Sequence, residues 1–209
     1  GISEKEAAEA GIDYIASHNI KENISKYLKE SSELVIKCIV ERSSERILGV
    51  QIVGKDGVDK RIDVFVSAMT FGAKVSDLFH LDLAYAPPFA TTKDPVMYSG
   101  MILDNALHRG RRLVTAGELI AHRELYTVID VRSKADYDKG HIEGAVSIPH
   151  EELKERMGEL DKNSKYVTHC NKGTTGNAAQ NLLLNSGFSE VYNLSGGYSQ
   201  YRVTKSIKD

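Results

Sequence analysis

The sequence is poor in cysteine. Only Cys38 and Cys170 occur in 209 residues, too few for a disulfide framework, and neither stands in a C-x-x-C pair of the kind used for metals or redox exchange. The seven histidines are scattered without metal-ligand spacing, so no metal is expected. Charge of one sign is lacking as well. A formal net charge of -2 gives no electrostatic case for nucleic acid or a membrane surface. No apolar run approaches the roughly 20 residues that span a bilayer. No signal peptide, internal repeat or low-complexity segment is visible. The default compartment is therefore cytoplasmic. The chain opens on Gly rather than Met and runs straight into "ISEKEAAEAGI", which reads as a cut end with sequence missing upstream.

What is present divides into two patterns. The length allows one large or two small domains. The first half predicts a helix at "SEKEAAEAGI", then two β-rich runs, "ELVIKCIVE" and "ERILGVQIVG", joined as a hairpin by "RSSE". Within the first run Cys38 reads as a small buried hydrophobe. Apolar residues at Val58, Ile62, Val66 and Met69 predict a helix that ends near Gly72. "KVSDLFHL" follows as a short helix and "LAYAPPF" as an extended segment, since residues before proline leave the α region. A last helix is expected at "PVMYSGMILDNALHRG". This is α+β: a small antiparallel sheet with helices on it. Charge and glycine interrupt the pattern near His108–Arg112, so the expected domains are 1–109 and 110–209. Beyond the boundary, helix "GRRLVTAGELIAH" leads into strand "YTVIDV", helix "SKADYDKG", strand "AVSIP" and helix "HEELKERMGEL". Strand "KYVTHC", a helix from about Gly173, strand "EVYNLSG" and helix "YSQYRV" complete it. Repeated βα units imply a parallel sheet covered on both faces, with sites at the carboxyl ends of strands.

Cys170 stands at such an end, before the loop "NKGTTG". A thiol attacks as thiolate, with an ordinary pKa of about 8.5. Two features here stabilise an anion: backbone N–H groups of a tight loop turned inward, and the N-terminus of the next helix. Gly173 and Gly176 permit the tight backbone, and Lys172 adds a charge. His169 is adjacent, but strand neighbours point to opposite faces, which argues against a Cys–His dyad. The competing reading is a buried structural cysteine.

The runs "VIDVRSKADYDKGHIEGAVSIPHEEL" and "YVTHCNKGTTGNAAQNLLLNSGFSEVYNLSGGYSQY" resemble the rhodanese family over almost all of residues 113–203. The resemblance implies that Cys170 accepts sulfane sulfur as a persulfide and passes it to a thiol, which is covalent catalysis in two steps. It implies an amide cradle from Asn171, Lys172, Gly173, Thr174 and Thr175, bracing by Asp130 and Arg132 of "DVR", and a structural His141. Many active loops of that family carry Arg or Lys five residues after the cysteine, where this chain has Thr175. A threonine cannot fork onto an oxyanion as arginine does, so thiosulfate should bind poorly and a neutral or protein-bound persulfide should suffer less. The same absence argues against a phosphatase-like cysteine-loop enzyme.

"GVQIVGKD", residues 49–56, fits G-x4-G-K but ends in Asp56, whose carboxylate would repel phosphate; it reads as a strand followed by a turn. The first half, with "GKDGVDKRIDV" and "AYAPPF", resembles over roughly residues 3–108 the C-terminal dimerisation domain of FAD-dependent pyridine nucleotide-disulfide reductases, the coenzyme A-disulfide reductase type with a fused rhodanese domain above all. That resemblance implies a homodimer, upstream domains that bind FAD and NAD(P)H, and coenzyme A or protein persulfides as partners. The chain has no G-x-G-x-x-G, so it is not expected to hold these cofactors fully by itself. It also implies that Tyr85 and Tyr27 reach the partner's active site as catalytic phenols, where an aromatic interface anchor is the other reading. Lys60 and Arg61 are weaker candidates for coenzyme A phosphates, against the reading of solvated helix cations. The implied function is the C-terminal portion of an NAD(P)H:CoA-disulfide or persulfide reductase, of which this chain alone is at most a sulfurtransferase. The alternative is a non-catalytic dimerisation and persulfide-binding module.

Overall fold

The computed structural model describes residues 1–208. The chain divides into two compact units, Gly1–Arg109 and the remainder from Gly110 onward.

In the first unit a reciprocal cap between Ser3 and Glu6 starts α1 (Glu4–Glu9). Strands β1 (Tyr14–Glu22), β2 (Glu33–Glu41) and β3 (Ile47–Gly54) follow and form an antiparallel sheet in that order. Central β2 is apolar, with Leu34, Ile36, Cys38 and Ile39 fully buried. The apolar pattern alone does not mark β1. Its Ser17 and Asn19 are buried polar residues, and Asn19 donates to Pro95 O and Ser99 Oγ. The Asn19 amide thus serves helix docking rather than solvent. Helix α2 (Val58–Thr70) precedes α3 (Val75–Phe79) and α4 (Pro95–His108), the last begun by Asp94, which accepts from Val96 N, and by Pro95 at the first turn.

The inward face of α2 differs from the expected stripe. Val66 is 47% exposed, while Phe65 and Arg61 are buried. Arg61 is drawn in by Asp94 at 2.8 Å and by the carbonyls of Asn23 and Gly57, so an ion pair outweighs apolar periodicity.

In the second unit β4 (Leu113–Val114) precedes α5 (Ala116–Ala121). A two-residue strand is too short to show periodicity, and the sequence reads as helix there. Then come β5 (Thr127–Asp130), α6 (Lys134–Asp138), β6 (Val146–Ser147), α7 (His150–Arg156), β7 (Lys165–His169), α8 (Thr174–Asn185), β8 (Glu190–Leu194) and α9 (Gly197–Lys208). All strand pairs are parallel, in the order β4-β8-β7-β5-β6, with β7 central. Period-2 alternation sends Ile129, Tyr166 and Val191 to a core shared with Leu153 and Leu183, and Val128, Val167 and Leu194 to one shared with Leu119 and Tyr201. Both faces are thereby covered, and the loop after β7 emerges at the middle of the sheet's carboxyl edge. Among the described residues no helix is long and apolar enough to cross a membrane, and no three His, Cys, Asp or Glu side chains could hold a metal ion.

Candidate active site

β7 ends at His169, and Cys170 follows with 8% exposure. The chain turns back within three residues because Gly173 takes φ 106°, where a side chain would be strained, and from it α8 begins. The Gly173 N–H donates to Cys170 Sγ at 3.2 Å. Helix α8 runs close beneath the loop. A Cβ on Gly176 would lie 3.1 Å from His169 Cα and 3.2 Å from Cys170 N, so that position admits only hydrogen. The loop's outward carbonyls are also occupied: Tyr198 N donates to Cys170 O at 2.9 Å and Ser199 N to Asn171 O at 3.0 Å. The N-terminus of α9 thus closes over the cysteine peptide, while the Gly173 N–H faces the sulfur.

Asp130 and Arg132 stand at the end of neighbouring β5. Arg132 Nε donates to both Asp130 oxygens at 2.9 and 3.0 Å, and Nη2 to Asp130 and to Gly140 O. Nη1 reaches Asn171 Oδ1 at 3.3 Å, and the guanidinium lies 4.1 Å over the Tyr198 ring. The pair therefore ties β5, the α6–β6 connection, the cysteine loop and α9 together. With Arg132 committed to these partners and 7% exposed, it offers little to a substrate. His169 is fully buried. Its Nδ1 lies 3.4 Å from Cys170 O and its Nε2 3.6 Å from Asp130 Oδ2, so the ring is turned toward these oxygens and away from a role as base. Burial lowers its pKa to about 4, with Asp130 opposing, and it is neutral near pH 7.

His141 is exposed, stacks on Tyr137 at 3.9 Å and donates from Nδ1 to Tyr137 O, while the Tyr137 hydroxyl donates to Ala145 O. It shapes the turn of "YDKGHIEGA" rather than the sulfur's surroundings. Thr174 and Thr175 are exposed on the first turn of α8, and Lys172 is half-buried. The structure thus brings together Cys170, Asn171, Gly173, Asp130 and Arg132. The motif reading does not single out Asn193, Gly197 or Tyr198, although "YNLSGGYSQY" carried the signal as two glycines beside an aromatic.

The first unit presents Tyr85 at 48% and Tyr27 at 75% exposure, the latter on an open cleft of about 550 Å³ with Ser25, Lys26, Thr91 and Thr92. Lys60 is exposed and reaches Phe89 O at 3.4 Å. Arg61 is a correction to the sequence reading: at 2% exposure, bound to Asp94, it cannot meet coenzyme A phosphates. The β3–α2 turn also holds no phosphate cradle, because a Cβ on Gly57 would stand 2.4 Å from Arg61 Nη1, which fills it. Cys38 is inert in its strand, since burial pushes its thiol up to about 12.

Residues 115–204 match the model of the rhodanese-like domain, and residues 1–95 that of the pyridine nucleotide-disulphide oxidoreductase dimerisation domain. The NAD(P)H sulfur oxidoreductase (CoA-dependent) of Pyrococcus furiosus is 38% identical over 104 residues, which are 49% of this chain and 23% of that protein. The crystal structure of reduced Bacillus anthracis CoADR-RHD superposes with a TM-score of 0.94 at 32% identity, over 99% of this chain and 37% of that one. A NAD-dependent persulfide reductase from A. fulgidus gives 0.84 at 32% identity, over 96% of this chain and 36% of that one. The matched stretches make up 23%, 37% and 36% of these three proteins, so the chain spans well under half of each. The chain therefore carries a pyridine nucleotide-disulphide oxidoreductase dimerisation domain followed by a domain of the rhodanese-like family.

Proposed function

We propose that residues 110–209 form a sulfur-carrier domain in which Cys170 is the nucleophile. The observation that carries this is the Gly173 N–H directed at Sγ from a loop whose carbonyls are held by α9. The Cys170 thiolate attacks the outer sulfur of a persulfide R–S–SH. The new S–S bond forms as the old one breaks, Cys170 becomes Cys–S–SH and R–S⁻ leaves. An acceptor thiolate then attacks the terminal sulfur, takes it as its own persulfide and restores the Cys170 thiolate. Both steps move one sulfur without net oxidation. Gly173 N–H stabilises the anion at each end. Asp130 and Arg132 hold Asn171 and hence the loop. Asn171, Lys172, Thr174 and Thr175 line it, and Thr175 offers one hydroxyl where an oxyanion needs a forked cation.

The whole protein is read as an NAD(P)H-dependent CoA-disulfide or persulfide reductase in a cytoplasmic setting, with residues 1–109 pairing two copies. The exposed Phe71 (88%), Val53 (72%) and Phe89 (70%) support such a pairing surface. FAD and NAD(P)H do not fit the residues of this chain, which has neither a Gly-rich dinucleotide loop nor an open phosphate turn after β3. In a parent enzyme of this kind they would be bound by parts outside this chain. Exposed Tyr85 and Tyr27 suit proton donation to a coenzyme A thiolate across the dimer, and Lys60 suits a phosphate contact.

Thr175 favours a second reading, a module that docks persulfides without turnover. Transfer from polysulfide to a small thiol, followed for wild type and Cys170→Ser, separates the two. A carrier loses catalysed transfer in the serine variant, whereas equal rates would leave only docking.

A further inference from the structure

We propose that Asn193 is a positioning residue for the Cys170 sulfur: by holding the Gly173 carbonyl it aims the Gly173 N–H at Sγ. The inference rests on Cys170 being the sulfur-accepting nucleophile.

Gly173 carries the loop amide that meets the sulfur, at 3.2 Å. Its backbone, φ 106° and ψ -19°, lies where glycine moves at little steric cost. The direction of its N–H is therefore not fixed by the residue itself. The hold lies on the other side of the same α-carbon. Gly173 O accepts from Asn177 N at 2.9 Å and from Asn193 Nδ2 at 3.2 Å. The first is the ordinary opening bond of a helix and would travel with α8. The second comes from a different strand and fixes the residue relative to the sheet.

Asn193 is well placed to act as that fixed point. It is 6% exposed on β8, opposite Thr168 of β7, two residues before Cys170. Its own N–H donates to Arg112 O at 3.0 Å, which pins the strand from the other side. The orientation of its amide is informative. Asn193 Oδ1 is buried and has no hydrogen-bond partner, facing Gly176, where a Cβ would stand 2.5 Å away. An unpaired buried carbonyl costs about 1–3 kcal/mol, and turning the amide over would set that oxygen against Gly173 O. The donor end is the one that makes a bond, and the acceptor end is sacrificed to keep it.

The test uses the full chain, isotope-labelled, as wild type, Asn193→Ala and Asn193→Leu, with Cys170→Ala as the reference for a Gly173 amide that has no sulfur acceptor. Both Asn193 variants lose the donor without adding charge, but the leucine keeps the branched shape and the alanine leaves a cavity. Two readouts are taken: the Gly173 amide proton shift, and the rate of Cys170 alkylation by iodoacetamide at about pH 6. Cys38 is fully buried and does not compete. In both Asn193 variants the Gly173 resonance is expected to move toward its position in Cys170→Ala. Losing one hydrogen bond to an anion is worth about tenfold in thiolate; the freer thiolate regains part of this in intrinsic nucleophilicity, so alkylation slows about threefold. If Asn193 only packs, the leucine variant keeps the wild-type shift and rate. The alanine variant, loosening a cysteine that is 8% exposed, then reacts faster. Either result overturns the proposal. Failure of the carrier reading shows up separately, as a wild type that takes no sulfur from polysulfide, and leaves the amide shift and alkylation rates to judge Asn193.

Discussion

Substituting Gly197 probes the cysteine loop from outside it. Gly197 opens α9 at φ 58°, and the amides that follow it bind Cys170 O and Asn171 O. A Cβ there would stand 2.5 Å from Cys170 O and 2.7 Å from both the carbonyl carbon and oxygen of Asn171. These are backbone atoms, so no side-chain rotation relieves the clash. The left-handed backbone costs a non-glycine residue about 1–2 kcal/mol, and overpacking typically adds about 1–3. Gly197→Ala should therefore lose about 2–5 kcal/mol from the second unit. For a unit of about 100 residues this lowers its melting midpoint by roughly 10 °C or more. The helix can relax only by lifting from the loop, so sulfur loading of Cys170 should fall between about ten- and a hundredfold, as for misplacement of a reacting group by about 1 Å. Gly117→Ala is the control: its Cβ would meet only Thr115 Oγ1, at 3.9 Å, and within α5 the change should be neutral or slightly stabilising. Calorimetry and mass spectrometry of persulfide loading read both variants. If Gly197→Ala melts and loads like wild type, α9 does not hold the loop and the account of the cysteine's presentation fails.

Three further outcomes follow from other parts of the molecule. Arg61→Ala leaves Asp94, 3% exposed, without its cation, and should cost the first unit about 3–5 kcal/mol in urea unfolding; a loss below about 1 would mean the pair is solvated after all. His18 and His169 are both lowered to about 4, chiefly by burial, with Lys37 adding to the effect at His18 and Asp130 opposing it at His169. The unfolded chain binds their protons below pH 6.5 and the folded chain does not, so stability holds above that pH and is lost as pH falls toward 4, by about 3 kcal/mol per histidine. A flat unfolding free energy across that window would contradict their burial as neutral rings. Thr175→Arg places a forked cation on the first turn of α8 and should raise sulfur uptake from thiosulfate about tenfold relative to polysulfide; an unchanged ratio would mean residue 175 does not select the donor.

Much of the second unit was legible because its signals are local. Apolar runs of strand length alternate with helical patterns, and the loop glycines at 173 and 176 stand where a turn and a close helix approach require them. What escaped was non-local. β4 is two residues long and exists through its pairing with β8. Strand β1 hides behind buried Ser17 and Asn19, and the Asn19 amide makes sense only beside Pro95 and Ser99 of α4. Arg61 looks like a surface cation until Asp94, far along the chain, is seen to meet it. The site divides in the same way. Cys170 and its loop were readable as a motif, and so was the bracing pair of Asp130 and Arg132. The contributions of Asn193, Gly197 and Tyr198 depend on which backbone atoms they reach from β8 and α9, and no periodicity encodes that.

The central claim is that Cys170 carries sulfur, and intact mass addresses it most directly. Wild type and Cys170→Ser are each incubated with polysulfide and, separately, with thiosulfate. The account predicts a gain of one sulfur on wild type with polysulfide, little with thiosulfate, and none on the serine variant. A wild type that gains no sulfur from either donor, or a serine variant that gains as much, would contradict it.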